Sequence, residues 1–289
     1  MHRDRSGAWG WYGSAILHQT RLMYLRLVAR LEADPAKASL EFLRVAGEPV
    51  RWQLLRELAC SDRHVRELTD LLGRPQNLVS YHLGKLRWAG LVSARRSSAD
   101  GRDVYYTVEL DRFGELLAAT GRSVHPGLRL APAVSAGPAS GPGAAAARLL
   151  FLCTGNSARS QMAEALASAR SHGRVEAFSA GSRPRPLHAN AVRVMRERGI
   201  DVGPAGSKHL GLFAAQQFSY VITLCDKVRE VCPEFPGHPG YIHWSIPDPA
   251  ASGDDDQATL PLFRQVAAEL DTRVTYLLAG IGALPGRAA

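Results

Sequence analysis

An apolar run, Leu149-Leu150-Phe151-Leu152, leads into Cys153-Thr-Gly-Asn-Ser-Ala-Arg159-Ser160 and then into the helix-forming stretch from Gln161 to Ala169. This order predicts a strand, a tight loop and a helix. In such a loop the backbone N–H groups converge at a helix N-terminus, where the macrodipole favours negative charge and lowers the pKa of a cysteine. Cys153 is therefore a candidate nucleophile. Thr154, Gly155, Asn156, Ser157 and Ala158 are the candidate oxyanion-binding loop, and Gly155 and Asn156 suit the positive φ angles of a tight turn. Arg159 is placed to fold back over the loop and hold two oxygens with its planar guanidinium. Ser160 is placed to hydrogen-bond the Cys153 thiolate.

A second apolar run, Tyr220-Val-Ile-Thr-Leu224, precedes Cys225, and Cys232 follows on a polar segment. A purely hydrolytic site needs one cysteine. A redox relay needs a second thiolate to attack the covalent intermediate and a third to resolve it by exchange, which fits three thiols in one small domain. The segment between Cys225 and Cys232 contains no glycine, so bringing their Cα atoms within about 7 Å requires local unwinding. The chain has four cysteines and no export signal, which reads as a cytoplasmic protein whose thiols are reactive groups and not staples.

The N-terminal half has a different pattern. Between Ala38 and Gly121 short amphipathic helices precede a two-stranded segment. Leu54, Leu55 and Leu58 share one helix face, and Val65, Leu68, Leu71 and Leu72 share the next. A third helix starts at Pro75 and ends before Gly90, with Leu78, Leu83 and Leu86 inward. It offers Gln76, Asn77, Ser80, Tyr81, His82 and Lys85 to base edges and phosphates. A hairpin wing follows, with Arg95, Arg96 and Arg102 available to the DNA backbone or minor groove. Residues 1–147 hold 20 Lys+Arg against 14 Asp+Glu, and the remainder 15 against 13, so the basic surplus lies on the proposed DNA-binding half.

Two resemblances follow from these strings. LxxLLGRPQNLVSYHLGKLRWAGLV and the Gly101-Arg-x-Val-Tyr-Tyr wing resemble the winged helix-turn-helix of the ArsR/SmtB repressors, which implies a homodimer reading an inverted-repeat operator. CTGNSARSQMAEAL, SAG from Ser179, VITLC, CP at Cys232 and HWSIPDP resemble the low-molecular-weight protein tyrosine phosphatase fold in its thioredoxin-coupled arsenate reductase branch. That resemblance makes Cys153 the nucleophile on arsenate, Arg159 the oxyanion clamp and Asp248 the general acid. Cys225 attacks Cys153 to release arsenite, and Cys232 resolves Cys225, leaving a Cys225–Cys232 disulfide for thioredoxin; mycothiol or glutaredoxin is the alternative reductant. It also implies a potassium site at Asn156, Glu164 and Ser179. Phosphotyrosine phosphatases usually carry an aromatic residue after Asp-Pro, but here Ala250 and Ala251 follow. Arsenic-sensing repressors often carry Glu-Leu-Cys-x-Cys-Asp, whereas this chain has Glu57-Leu-Ala59-Cys60-Ser61-Asp62, and one thiol does not chelate arsenite as two or three do.

The expected architecture is thus an α+β winged helix-turn-helix domain, residues 35–121, followed by an α/β domain with a parallel sheet flanked by helices, residues 148–289. An extension, 1–34, precedes them, and a Pro/Gly/Ala-rich linker, 122–147, joins them as a semi-extended tether between semi-independent units. Arg21, Arg26 and Arg30 interrupt the apolar clusters of the extension, so it reads as a dimer-supporting amphipathic helix and not a membrane span or secretory segment, with Met23 as an alternative start of translation. At 289 residues and 46% hydrophobic, the chain is long enough for two ordinary domains. The expected partners are operator DNA, an arsenate or phosphate oxyanion, thioredoxin and a second copy of the chain. Two other functions fit the same residues: a regulator with a phosphoester phosphatase domain, and a regulator whose C-terminal half is a non-catalytic oxyanion or redox sensor.

Overall fold

The computed structural model describes residues 35–99, 101–128, 146–252 and 256–282. The N-terminal extension and most of the tether lie outside the described residues. Two apolar cores form, one from Phe42 to Leu116 and one from Leu149 to Leu278, with no residue in common.

The first core is covered by α1 (Pro35–Ala46), α2 (Pro49–Cys60), α3 (Val65–Leu72), α4 (Gln76–Trp88) and α5 (Leu110–Val124). A three-stranded antiparallel sheet, ordered β1 (Arg63–His64), β3 (Val104–Val108), β2 (Val92–Arg96), completes it. Glu67 accepts a hydrogen bond from the His64 amide, satisfying one of the unpaired donors at the start of α3. Gly73 ends that helix at φ 58°, a left-handed conformation that glycine adopts without a Cβ clash. Leu54, Leu55 and Leu58 are buried, as their spacing predicts. On the next two helices the pattern shifts. Leu68 is buried but Leu71 is exposed, and Val79, not Leu78, joins Leu83 and Leu86 in the core of α4.

The second core is a four-stranded parallel sheet ordered β5 (Val175–Gly181), β4 (Ala147–Cys153), β6 (Tyr220–Thr223), β7 (Gly240–His243). Leu149 to Leu152 are fully buried on the central strand, as a near-continuous apolar run in a parallel sheet requires. Three helices pack with this sheet and one another: α6 (Arg159–Ser171), α7 (Ala189–Arg196) and α9 (Asp256–Gly280). A short helix, α8 (Asp226–Glu230), starts directly after Cys225.

The tether's composition predicts semi-independent units, but the described residues dock the two domains through polar contacts. Asp62, 1% exposed, receives Arg273 Nη1 at 3.0 Å and Nη2 at 3.2 Å, and the Ser245 amide at 2.7 Å. The Asp62 amide donates to the His243 carbonyl at 2.7 Å, and the His243 amide donates to Ser61 Oγ at 2.9 Å. Asp226 on α8 accepts from the Ser98 amide at 2.6 Å and the Ser98 hydroxyl at 2.9 Å. Arg229, also on α8, ion-pairs with Glu67 and donates to the Tyr105 hydroxyl at 3.0 Å. Linker composition constrains the tether and says nothing about the surfaces on either side of it. No helix among the described residues is long and apolar enough to cross a membrane.

Candidate functional site

Cys153 ends β4, and the loop returns to α6 through Asn156, whose φ is 45°. Gly155 is not among the positive-φ residues, so only Asn156 meets that expectation. What Gly155 supplies is room, since a Cβ there would meet Ser157 Oγ at 3.0 Å. Asn156 is fully buried and acts as the loop's hub. Its amide donates to Cys153 Sγ at 3.2 Å, and its side-chain Nδ2 donates to Ser160 Oγ at 2.9 Å and Ser179 Oγ at 2.8 Å. Because Ser160 already accepts from Asn156, its own proton is free for Cys153 Sγ, 3.0 Å away. Two donors thus converge on the Cys153 sulfur. Gly181 lies under the loop, where a Cβ would stand 2.7 Å from the Thr154 carbonyl and 2.8 Å from the Asn156 amide.

Arg159 is 6% exposed. Its Nη1 donates to the Ile246 carbonyl at 2.9 Å, and its Nη2 lies 3.0 Å from Asp248 Oδ2. The guanidinium therefore ties the oxyanion loop to the Asp248-Pro249 segment. Cys225, which caps α8, meets the same loop, with Thr154 Oγ1 and Cys225 Sγ 3.3 Å apart. Cys232 lies beyond α8, half-buried, with its sulfur 3.6 Å from the Pro233 carbonyl, and burial pushes its thiol up to about 11. All of Cys153, Arg159, Cys225 and Asp248 are brought around one loop, and Cys232 is held at the other end of α8.

The structure also assembles groups that spacing does not reveal. Asn156, Glu164 and Ser179 do come together, with Ser179 Oγ donating to Glu164 at 2.5 Å. Into this cluster reaches the ammonium of Lys208, 3.2 Å from Glu164 Oε2, while the Lys208 amide donates to Asn156 Oδ1 at 2.7 Å. The chain itself supplies a cation where the resemblance implies potassium. Behind Cys225, Asp226 accepts from Ser245 Oγ at 2.5 Å and from His243 Nε2 at 3.1 Å, and His243 Nδ1 faces Thr223 Oγ1 at 2.8 Å. Burial alone would raise the Asp226 carboxyl; hydrogen bonds from His243, Ser245 and Ser98 instead hold it well below the usual carboxylate range. Burial holds His243 below its ordinary value despite the neighbouring carboxylate.

Comparison with known proteins agrees with this geometry. Residues 148–284 match the family model "Low molecular weight phosphotyrosine protein phosphatase", and residues 48–94 match "Bacterial regulatory protein, arsR family". The arsenate reductase of Halalkalibacterium halodurans is 36% identical over 126 residues, 44% of this chain and 91% of that protein. The arsenate reductase of Bacillus subtilis is 35% identical over the same length, 44% of this chain and 91% of that protein. The chain belongs to the arsenate reductase family. Ahead of its reductase-like domain it carries an ArsR-type DNA-binding domain. Among solved structures, a thioredoxin-dependent arsenate reductase of Corynebacterium glutamicum is 28% identical with a TM-score of 0.38, covering 57% of this chain and 74% of that one.

In the ArsR-type domain, Gln76, Asn77, Ser80, Tyr81 and Lys85 are exposed on α4, and Arg96 and Arg102 are exposed on the wing. Lys85 Nζ lies 5.4 Å from the Tyr81 ring centroid, so the two form one basic, aromatic surface. Two of the expected DNA contacts point elsewhere. His82 is 7% exposed, and its Nδ1 lies 3.2 Å from Glu48 on the helix-turn-helix scaffold, because its position falls on the inward stripe with Val79 and Leu86. Arg95 faces a cleft of about 1030 Å³ between the domains, beside Asp62, Glu109 and Arg273. Its Nη2 is buried with no hydrogen-bond partner among the described residues. Strand alternation places Arg95 and Arg96 on opposite faces, and docking turns the Arg95 face inward.

Proposed function

We propose that the C-terminal domain reduces arsenate to arsenite by a three-cysteine relay, and that the N-terminal domain is a dimeric operator-binding regulator. The observation that carries the enzymatic reading is the contact of Thr154 with Cys225, which seats a second thiol beside the loop that holds the first. The loop amides and Arg159 receive the oxyanion, the Cys153 thiolate forms a bond to arsenic, and Asp248 delivers a proton to the departing oxygen, which leaves as water. The Cys225 thiolate then attacks Cys153 Sγ. The S–As bonding pair stays on arsenic, As(V) becomes As(III), and a Cys153–Cys225 disulfide forms. Cys232 attacks Cys225, releases the Cys153 thiolate and leaves Cys225–Cys232 for a dithiol reductant of the thioredoxin type.

Arsenate suits the site better than an aryl phosphate, because Ala250 and Ala251 follow Asp248-Pro249 and supply no ring for stacking. For the regulator, α1 and α5 leave Leu40, Leu43, Leu117 and Val124 exposed, and a second copy covering these faces makes the dimer.

The test is NADPH oxidation by the purified chain with thioredoxin, thioredoxin reductase and arsenate, beside Cys153→Ser, Cys225→Ser and Cys232→Ser. Each substitution is expected to abolish turnover. Hydrolysis of an aryl phosphate that survives Cys225→Ser, with no arsenate turnover in the unaltered chain, would establish the phosphatase instead.

A further inference from the structure

The helix between the two relay thiols is also the piece of the reductase domain that holds the wing. Cys225 is the N-cap of α8, and Cys232 lies just past its C-cap Val231. Five helical residues at a rise of about 1.5 Å each, with an extended Cys225 before them and Val231 after them, set the two Cα atoms on the order of 10 Å apart, whereas a disulfide needs about 7 Å or less. Closing Cys225–Cys232 therefore unwinds α8.

Two of its residues, Asp226 and Arg229, reach across to the DNA-binding domain. Asp226 accepts two hydrogen bonds from Ser98 in the wing turn. Arg229 pairs with Glu67 on α3, the helix before the recognition helix, and donates to Tyr105 on the wing strand β3. The Arg229 guanidinium also lies 5.3 Å from the Tyr105 ring centroid, and the His243 ring packs on that tyrosine at 4.7 Å. Both parts of the DNA-binding unit that α8 touches lose their partners when it unwinds.

We infer that the Cys225–Cys232 couple is a redox switch for DNA binding: the dithiol form docks and orders the wing through Asp226 and Arg229, and the disulfide form releases it and weakens operator affinity. The inference rests on the relay reading above. The direction follows from what docking leaves open. In the docked form Gln76, Asn77, Ser80, Tyr81 and Lys85 on α4 and Arg96 and Arg102 on the wing remain exposed, while the wing turn is fixed. A released wing must be ordered again on DNA, and that entropy opposes binding. Electrons balance through the enzyme's own substrate. The two thiols give up two protons and two electrons, arsenic takes the electron pair, and one arsenate oxygen leaves with the protons as water. The inducing chemical is thus an oxyanion oxidant acting through turnover, and no chelating thiol pair is needed at Cys60.

The test uses the full chain carrying Cys60→Ser and Cys153→Ser, so that diamide oxidises only Cys225 and Cys232, with the link verified by peptide mass. The DNA probe is a fluorescent duplex enriched from a random-sequence library by the reduced chain. The disulfide form is expected to bind at least about fivefold more weakly than the dithiol form, the low end of ordinary coupling between sites, and the Ser98 amide to exchange faster. Arg229→Ala is expected to weaken binding of the dithiol form and to erase the redox effect, while arsenate turnover in the otherwise unaltered chain persists. Equal or tighter binding by a verified disulfide form overturns the switch and leaves the relay standing. Failure of diamide to join Cys225 to Cys232 overturns both. A redox effect on DNA binding in a chain that does not turn over arsenate supports the switch and removes only the enzymatic reading.

Discussion

Among the contacts that dock the two domains the most buried ion pair is Asp62–Arg273, and a mutant cycle measures its share. Asp62 and Arg273 are 1% and 8% exposed, joined by two hydrogen bonds of 3.0 and 3.2 Å. Removing one partner of such a pair leaves an uncompensated charge away from water and costs about 3–5 kcal/mol. Arg273 keeps a second partner, Glu269 at 3.0 Å, so Asp62→Ala is expected at the lower end, about 3 kcal/mol. Replacing both members by apolar residues, Asp62→Leu with Arg273→Met, leaves neither member's charge buried alone, and Glu269, which loses Arg273, is one-third exposed to water, so the double change is expected to cost less than the two single changes together. Urea unfolding of the full chain reads the cost, and amide exchange at Ser245, which donates to Asp62 Oδ2 at 2.7 Å, reports whether the loss is at the interface. A cost below about 1 kcal/mol for Asp62→Ala, the range of an exposed pair, or additive single changes, would refute the reasoning.

Lys208→Ala is expected to lower arsenate turnover by removing the cation at Glu164, with partial recovery in potassium but not sodium buffer; identical rates in both salts count against a built-in cation. Gly181→Ala inserts a Cβ at 2.7 Å from the Thr154 carbonyl and 2.8 Å from the Asn156 amide, so turnover should fall steeply while circular dichroism keeps its helical signal. The second domain, and with it the Ser98 contact, should lose stability in acid. The contribution of Asp226, whose folded pKa is lowered, is complete above the ordinary carboxylate value of about 3.9 and fades as pH falls through the folded value; His243, also lowered, adds a penalty once pH drops below about 6.5. Ser98 amide exchange across that range checks the sign. On DNA, Lys85→Ala should reduce the salt slope of binding by about 1, whereas His82→Ala should leave the slope unchanged and lower stability, because its ring is buried beside Glu48.

The nucleophile loop was legible because its chemistry is local: strand, loop and helix follow one another, and Cys153, Asn156, Arg159 and Ser160 act within eight positions. The inward stripe of α2 was legible for the same reason. His82 looks like a base contact because it stands between Tyr81 and Lys85, while helical phase puts it with Val79 and Leu86. Lys208 was not legible, since nothing in Gly206-Ser207-Lys208 marks a residue that returns to Asn156 from 52 positions away. In the sequence Asp226 and Arg229 belong to a polar segment between two cysteines; their partners Ser98, Glu67 and Tyr105 stand more than a hundred positions earlier.

Those distant partners also explain how a polar interface suffices. The two apolar cores do not merge, so docking relies on hydrogen bonds and ion pairs whose net worth is about 1 kcal/mol each when neutral and somewhat more when charged. Free domains held by a handful of such bonds would associate weakly after the cost of lost translation and rotation. One chain changes that arithmetic, because covalent joining raises the effective concentration of one domain at the other without any added contact. The balance between docked and released forms is then small enough for a few bonds to decide it. Asp226 and Arg229 supply three of those bonds to the DNA-binding unit besides the Glu67 ion pair's charge, and they sit on the one helix that the relay disulfide cannot close without unwinding.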